Sequence, residues 1–191
     1  MKGTDDQRRQ RFDALFAAYS PSIVAYCGWR ADSASDAQDA VAEVFLTAWR
    51  RLDELPEGDA ARVWLYATAR KVLANQRRST RRREALRERL AREPAPAATE
   101  PPAPTGEKAL VRAALMQLAP CDREVLLLAE WEDLAPAQIA EVLGCLTVTA
   151  RGRLHRARRR FRNAFEALRA GGDEVPTNAP DRFLRGEHQH V

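Results

Sequence analysis

Residues 93–107, EPAPAATEPPAPTGE, contain five prolines and no large apolar side chain. Proline fixes its own φ and removes a backbone donor, so the stretch suits neither a helix interior nor a sheet. With nothing apolar to bury, it joins no core and reads as an extended, flexible tether. The 191-residue chain is therefore expected to fold as two small domains, one on each side.

On both sides apolar residues recur at helical spacing, and no alternating strand pattern runs beyond a few residues, so both domains read as all-α. A hydrophobic content of 45% is enough for a core, yet no apolar run approaches the roughly 18 to 20 residues of a spanning helix. The opening MKGTDDQRRQRFDALF is charged where a secretory signal needs an apolar stretch, which predicts a cytoplasmic protein. Cys27, Cys121 and Cys145 are odd in number and widely spaced, so they form no disulfide framework or paired-cysteine zinc site and read as small core residues. Beyond Leu168 the chain has Gly171, Gly172, Pro176 and Pro180 and no sustained period, so residues 171–191 read as a disordered tail. His188 and His190 in that tail lack neighbouring ligands; no metal and no cofactor is expected.

The second domain has the sharper pattern. CDREVLLLAEW is an apolar helix, and EDLAPAQIAEVLG follows, with Pro136 near a helix start and Gly144 placed to end it. After a turn of three or four residues, Ala150, Leu154, Ala157, Phe161, Ala164, Phe165 and Leu168 mark the packing face of another helix. Its other side holds Arg151, Arg153, His155, Arg156, Arg158, Arg159, Arg160 and Arg162, with no acid until Glu166. Like charges at i,i+4 repel, so a face this basic calls for a polyanionic partner. Short helix, glycine turn and basic helix make a helix-turn-helix, whose second helix enters the DNA major groove. The formal charge of +4 is mild; its distribution carries the information.

In the first domain Ser35 is the expected N-cap, with Asp36 and Asp39 in the first turn, where the helix dipole favours acids. Ala37, Val41, Val44, Phe45, Ala48, Trp49 and Leu52 form the core face. Asp39, Glu43, Leu46 and Arg50 line up on the opposite side, at steps of four, three and four. An apolar residue flanked by aligned charges, on a helix whose core face is already full, fits a docking stripe for another protein. The loop DELPEGDA follows, and then DAARVWLYATARKVLANQRRSTRRREALRERLAR, which passes from Val63, Trp64, Leu65 and Tyr66 into ten arginines or lysines between residues 70 and 92 against Glu84 and Glu88. Rings beside guanidinium groups suit single-stranded nucleic acid, where bases stack and phosphates are held; Trp64 and Leu65 also suit a core.

In the order of its parts the chain resembles the extracytoplasmic-function group of bacterial sigma factors, from about Phe12 to Leu168 apart from the tether. SDAQDAVAEVFLTAWRRLDEL resembles the region two helix that docks on core RNA polymerase. RVWLYATARKVLANQRR resembles the segment that melts and reads the minus-ten element, and APAQIAEVLGCLTVTARGRLHRARRRF the region four helix-turn-helix for the minus-thirty-five element. The resemblance implies region two over 8–92, a linker over 93–107 and region four over 108–170. It implies polymerase docking by Asp39, Glu43, Leu46 and Arg50, with Phe45 and Trp49 supporting the helix. Trp64, Arg70, Lys71, Asn75, Arg77 and Arg78 would meet the non-template single strand, with the loop around residues 53–59 as the pocket for a flipped base. Thr149, Arg151, Arg153, His155 and Arg156 would meet the upstream duplex. An anti-sigma factor, which the family often has, is a further implied partner.

The chain departs from the family pattern at Ala42, Lys71, Asn75, Ala150 and Gly152. Glycine at 152 weakens the helix by about 1 kcal/mol relative to alanine. Two other readings stand beside this one: a stand-alone helix-turn-helix regulator without polymerase, and a nuclease holding a divalent ion with Asp36, Asp39 and Glu43. No nucleophile motif, glycine-rich phosphate loop or clustered histidines favour an enzyme, and none is expected.

Because the tether's composition specifies length and not a surface, replacing residues 95–104 by an equally long Gly/Ser segment is expected to leave promoter-specific transcription within a few-fold of wild type. An in vitro transcription assay checks this; loss of transcripts would assign contacts to the segment itself.

Overall fold

The computed structural model describes residues 2–90 and 106–170, with side chains over 5–83 and 106–170. Most of the expected linker and the whole of the expected tail, with His188 and His190, lie outside them. All regular elements among the described residues are helices, and they belong to two compact units. None of these helices is long and apolar enough to cross a membrane.

The first unit contains α1 (Lys2–Gly28), α2 (Ala34–Arg50), a 3-10 turn (Leu52–Glu54) and α3 (Asp59–Leu90), each of the three α-helices packing on the other two. Helix α1 has no counterpart in the sequence reading. Its residues are weakly periodic, and Pro21 stands in its interior, where a proline removes one backbone hydrogen bond. Tertiary burial overrides both signals: Ile23, Tyr26 and Cys27 are fully buried, and the Phe12 ring meets Trp49 edge-on at 5.2 Å. The Phe16 ring meets Phe45 at 4.7 Å.

Helix α2 buries Ala40, Val44, Phe45 and Ala48. Its N-cap is Ser33, not Ser35. Ser33 has the extended backbone that a cap requires (φ −147°, ψ 163°), and its Oγ accepts from the Asp36 N–H at 3.0 Å, whereas Ser35 already lies within the first turn. The fully buried Tyr26 and Tyr66 rings lie 5.1 Å apart across α1 and α3.

The cysteines differ among themselves. Cys27 is the core residue expected, and burial pushes its thiol up from 9.0 to about 11, against the opposing pull of Arg30. Cys121, beside Pro120 at the start of a helix, is exposed and Cys145 half-buried, which corrects the core reading for those two.

The second unit contains α4 (Glu107–Gln117), α5 (Pro120–Glu130), α6 (Pro136–Leu143) and α7 (Thr147–Ala170), and α7 packs on each of the other three. Gly106, at φ 67°, precedes α4, so helix begins at the last residue of the stretch read as a linker. Arg123 closes the far end of α4. Its Nε donates to the Leu115 carbonyl at 2.8 Å and one terminal nitrogen to the Met116 and Leu118 carbonyls at 3.0 and 3.1 Å, groups that a helix end leaves without intrahelical partners.

Pro136 begins α6 and Gly144 ends it, as the sequence pattern predicts. Gly144 is left-handed (φ 64°, ψ 44°). Its N–H reaches the Glu141 carbonyl at 3.2 Å and the Cys145 N–H reaches the Ala140 carbonyl at 2.9 Å, the paired bonds of a Schellman turn. Three residues later α7 has begun.

Ser33→Ala is expected to destabilise the protein by about 1 kcal/mol, with Ser35→Ala near neutral. Urea unfolding followed by circular dichroism measures both, and equal losses would refute the cap.

Candidate nucleic-acid interface

On α7 the residues buried against the unit are Ala150, Leu154, Ala157 and Phe165, so the packing face expected from the sequence is present. At about 100° per residue, Arg158 and Arg160 fall on the two flanks of that stripe. Both reach along the surface to carboxylates of α5 and stay exposed. The Arg158 guanidinium contacts Glu130 Oε1 at 2.7 and 2.8 Å, and Arg160 pairs with Asp122 Oδ2.

Glu130 and Asp122 are buried, with only 4% of the Glu130 side chain exposed. A buried carboxylate needs a cation and hydrogen bonds, which these two arginines supply. They therefore serve the fold as well as the exposed basic side on which the sequence places them: the acids that partner them stand 28 and 38 positions earlier in the chain.

Arg151, His155 and Arg156 are exposed on α7, and Thr149 and Arg153 are half-buried at the edge of the same region. Arg159 and Arg162 add to it; among the described residues none of Arg151, Arg156, Arg159 and Arg162 has a carboxylate partner. Five exposed basic groups thus occupy one side of a helix that opens after a three-residue turn. This is the disposition that a major-groove helix requires, with phosphates held by guanidinium groups and base edges within reach of the first turns.

The second basic face is on α3, where no acid occurs between Asp59 and Glu84. Lys71, Asn75, Arg77 and Arg78 are exposed, and Arg70 is half-buried. Arg78 donates to Asn75 Oδ1 at 2.7 Å, which orients that amide along the face. Arg77 is partly engaged within the unit, donating to the Arg30 carbonyl and lying 3.8 Å from Asp32 Oδ1. Of the aromatic start, Tyr66 is fully buried and Trp64 half-buried, so Trp64 alone of the two offers ring surface.

The loop ahead of α3 is held by side chains of α1 that the sequence reading missed. Arg8 stacks over the Trp49 ring at 5.3 Å, donates to the Trp49 carbonyl at 2.9 Å and pairs with Asp53. Arg11 donates to the Leu55 carbonyl at 2.7 Å and lies 3.8 Å from Glu57, and the Tyr19 hydroxyl donates to the Gly58 carbonyl at 3.1 Å. These contacts join residues about forty positions apart, so no local pattern announces them.

On α2 the aligned set is outward as expected: Asp39, Glu43, Leu46 and Arg50 are all exposed, Leu46 at 42%. Asp36 faces elsewhere, accepting from Ser33 Oγ at 2.6 Å. Among the described residues no three His, Cys, Asp or Glu side chains are grouped to hold a metal ion. The divalent-ion site imagined for Asp36, Asp39 and Glu43 is therefore not assembled here.

Residues 15–83 match the family model Sigma-70 region 2, and residues 108–161 match Sigma-70, region 4. The chain is 31% identical over 136 residues to the RNA polymerase sigma-E factor of Streptomyces coelicolor, covering 69% of this chain and 73% of that one. It is 30% identical over 178 residues to the ECF RNA polymerase sigma factor SigG of Mycobacterium tuberculosis (strain CDC 1551 / Oshkosh), covering 80% of this chain and 48% of that one. The chain thus spans about half the length of SigG. Its fold is similar to that of the sigma factor RpoE from Bartonella quintana, solved in complex with the anti-sigma factor NepR. That likeness has a TM-score of 0.65 at 22% identity and covers 81% of this chain and 96% of that one.

The two kinds of arginine on α7 are separable by experiment. Arg158→Ala and Arg160→Ala each leave a buried carboxylate without its cation; because the guanidinium groups are themselves half in solvent, the expected loss is about 1 to 3 kcal/mol. Denaturant unfolding of the full chain reads this, with duplex affinity changed less than about threefold. Arg151→Ala with Arg156→Ala is expected to reverse the pattern, keeping stability and weakening duplex binding at least tenfold; equal effects of the two pairs on stability would refute the division.

Proposed function

The chain belongs to the extracytoplasmic-function group of RNA polymerase sigma factors, and on that premise we propose that it binds core RNA polymerase and directs initiation at promoters by recognising two DNA elements. The observation that supports this most directly is the order of three surfaces along one chain. An acidic and apolar stripe on α2 comes first, then a basic face with the half-buried Trp64 on α3, then the exposed basic side of α7.

Residues 8–92 serve polymerase and the minus-ten element, and residues 108–170 serve the minus-thirty-five element. Asp39, Glu43, Leu46 and Arg50 dock on polymerase, the charges setting orientation at the rim and Leu46 burying apolar surface. Thr149, Arg151, Arg153, His155 and Arg156 hold the upstream duplex. Downstream, Arg70, Lys71, Asn75, Arg77 and Arg78 bind the backbone of the separated non-template strand. Taking one base out of the stack costs a few kcal/mol, which a fitted pocket at residues 53–59 and stacking on Trp64 offset. Arg8, Arg11 and Tyr19 pre-shape that loop, so binding does not bear its ordering entropy.

The role is one of binding and positioning, with no chemical step of its own, and both partners place it in the cytoplasm. An anti-sigma factor is a third partner on this reading; the Bartonella protein of similar fold was crystallised with one. The rival, a regulator that binds duplex DNA without polymerase, gives the α2 stripe no task.

Asp39→Lys with Glu43→Lys changes two exposed side chains opposite the buried face, so the double variant is expected to keep the wild-type helical spectrum and duplex affinity. Its association with core polymerase should weaken by about 3 kcal/mol or more, over a hundredfold, with promoter-specific transcripts lost. Normal transcription by the double variant would overturn the docking assignment. A wild-type chain that binds duplex DNA but no polymerase would install the regulator instead.

A further inference from the structure

Two residues near the start of α7 are unexplained by the fold. Val148 is 71% exposed, and it is one of three large apolar side chains left out in the described part of this unit, with Met116 at 57% and Leu146 at 73%. Gly152 lies one turn further on, inside a regular helix, where glycine is a poor choice and where its φ does not require it. Packing does not require it either. A methyl group there would meet nothing but the tip of the Arg156 side chain, 3.4 Å away, which is free to shift.

The two residues are neighbours. At about 100° per residue, Val148, Gly152, His155 and Arg159 fall within about 60° of one another, on the side opposite Ala150, Leu154 and Ala157. The basic side therefore opens, at the N-terminal end of the helix, on an apolar side chain beside a gap, with the exposed arginines following it. Phosphates would favour a cation at both positions. A base edge does not: the 5-methyl of thymine is the one apolar group that the major groove presents, and it discriminates thymine from every other base.

We propose that Val148 and Gly152 form a base-reading contact of α7, in which Val148 packs on a thymine 5-methyl group and the missing side chain at Gly152 lets the helix approach close enough for that contact. The surrounding Arg151, Arg156, Arg159 and Arg162 hold the flanking phosphates and set the depth of the helix. The inference rests on the reading of α7 as a duplex-binding helix and adds the chemical group that it reads.

The test uses the full chain with core RNA polymerase and a duplex selected by that complex from a library randomised over the upstream element. Each thymine of the selected duplex is replaced in turn by deoxyuridine, which removes the methyl group alone. With wild type, at least one replacement is expected to weaken binding about three- to tenfold, and with Val148→Ser that same replacement should have no effect. Gly152→Ala should raise the thermal midpoint while weakening binding to the selected duplex at least threefold, a pairing of gains and losses that a structural role for Gly152 would not produce.

If deoxyuridine is tolerated at every position while the selected sequence still binds better than random duplex, the methyl contact is wrong and the duplex-binding reading stands. If Gly152→Ala binds as tightly as wild type, the close approach is wrong. If the library yields no enriched upstream sequence and binding to random duplex is absent, the broader reading of α7 fails with it.

Discussion

The second unit depends on α7 doing two jobs with one set of residues. It is the helix on which α4, α5 and α6 all pack, and it also carries the exposed positive charge. A helix has little more than a third of its circumference to bury before the flanking positions become shared between core and surface. Here Arg158 and Arg160 occupy those flanks and neutralise Glu130 and Asp122 of α5. The acids would be costly alone, and the arginines, fixed by them, lock the rotation of α7 relative to α5. The side assigned to DNA is thereby aimed by contacts at its edges.

The first unit solves a related problem with α1. The loop of residues 52–58, proposed above as a nucleotide pocket, has no apolar interior of its own, yet Leu52 at its start and Leu55 at its middle are buried in the core. From α1, Arg8 pairs with Asp53, Arg11 donates to the Leu55 carbonyl and lies near Glu57, and the Tyr19 hydroxyl donates to the Gly58 carbonyl. The loop is held through its backbone, leaving most of its side chains exposed. Just past the other end of α1, Arg77 reaches the Arg30 carbonyl, tying the basic part of α3 to the turn that follows that helix.

Helix α6 was legible because Pro136 and Gly144 punctuate it by local backbone chemistry, and the outward set Asp39, Glu43, Leu46 and Arg50 because helical periodicity needs no partner to be seen. Helix α1 was not: its apolar residues serve two neighbours, which broadens the buried side and blurs the period, and Pro21 argues against a helix by the local rule. Ser33 and Ser35 are equivalent as residue types, and only the backbone at 33 decides between them. The pairing of Arg158 and Arg160 with acids of α5 is a tertiary fact, invisible wherever acids are counted along one helix. Tyr66 reads as a ring for stacking until Tyr26, from another helix, covers it.

The Schellman turn at Gly144 fixes the approach of α6 to α7 through backbone bonds alone, and Arg158 and Arg160 fix the roll of α7. Neither device uses positions 148, 151, 152, 155, 156 or 159. Substitution of the exposed side chains at 148, 151, 155, 156 and 159 leaves both devices untouched, and only at 152, where alanine would strengthen the helix, does the fold itself respond. On the proposed reading of α7, the DNA that this helix prefers can thus be changed without giving up the contacts that fold it.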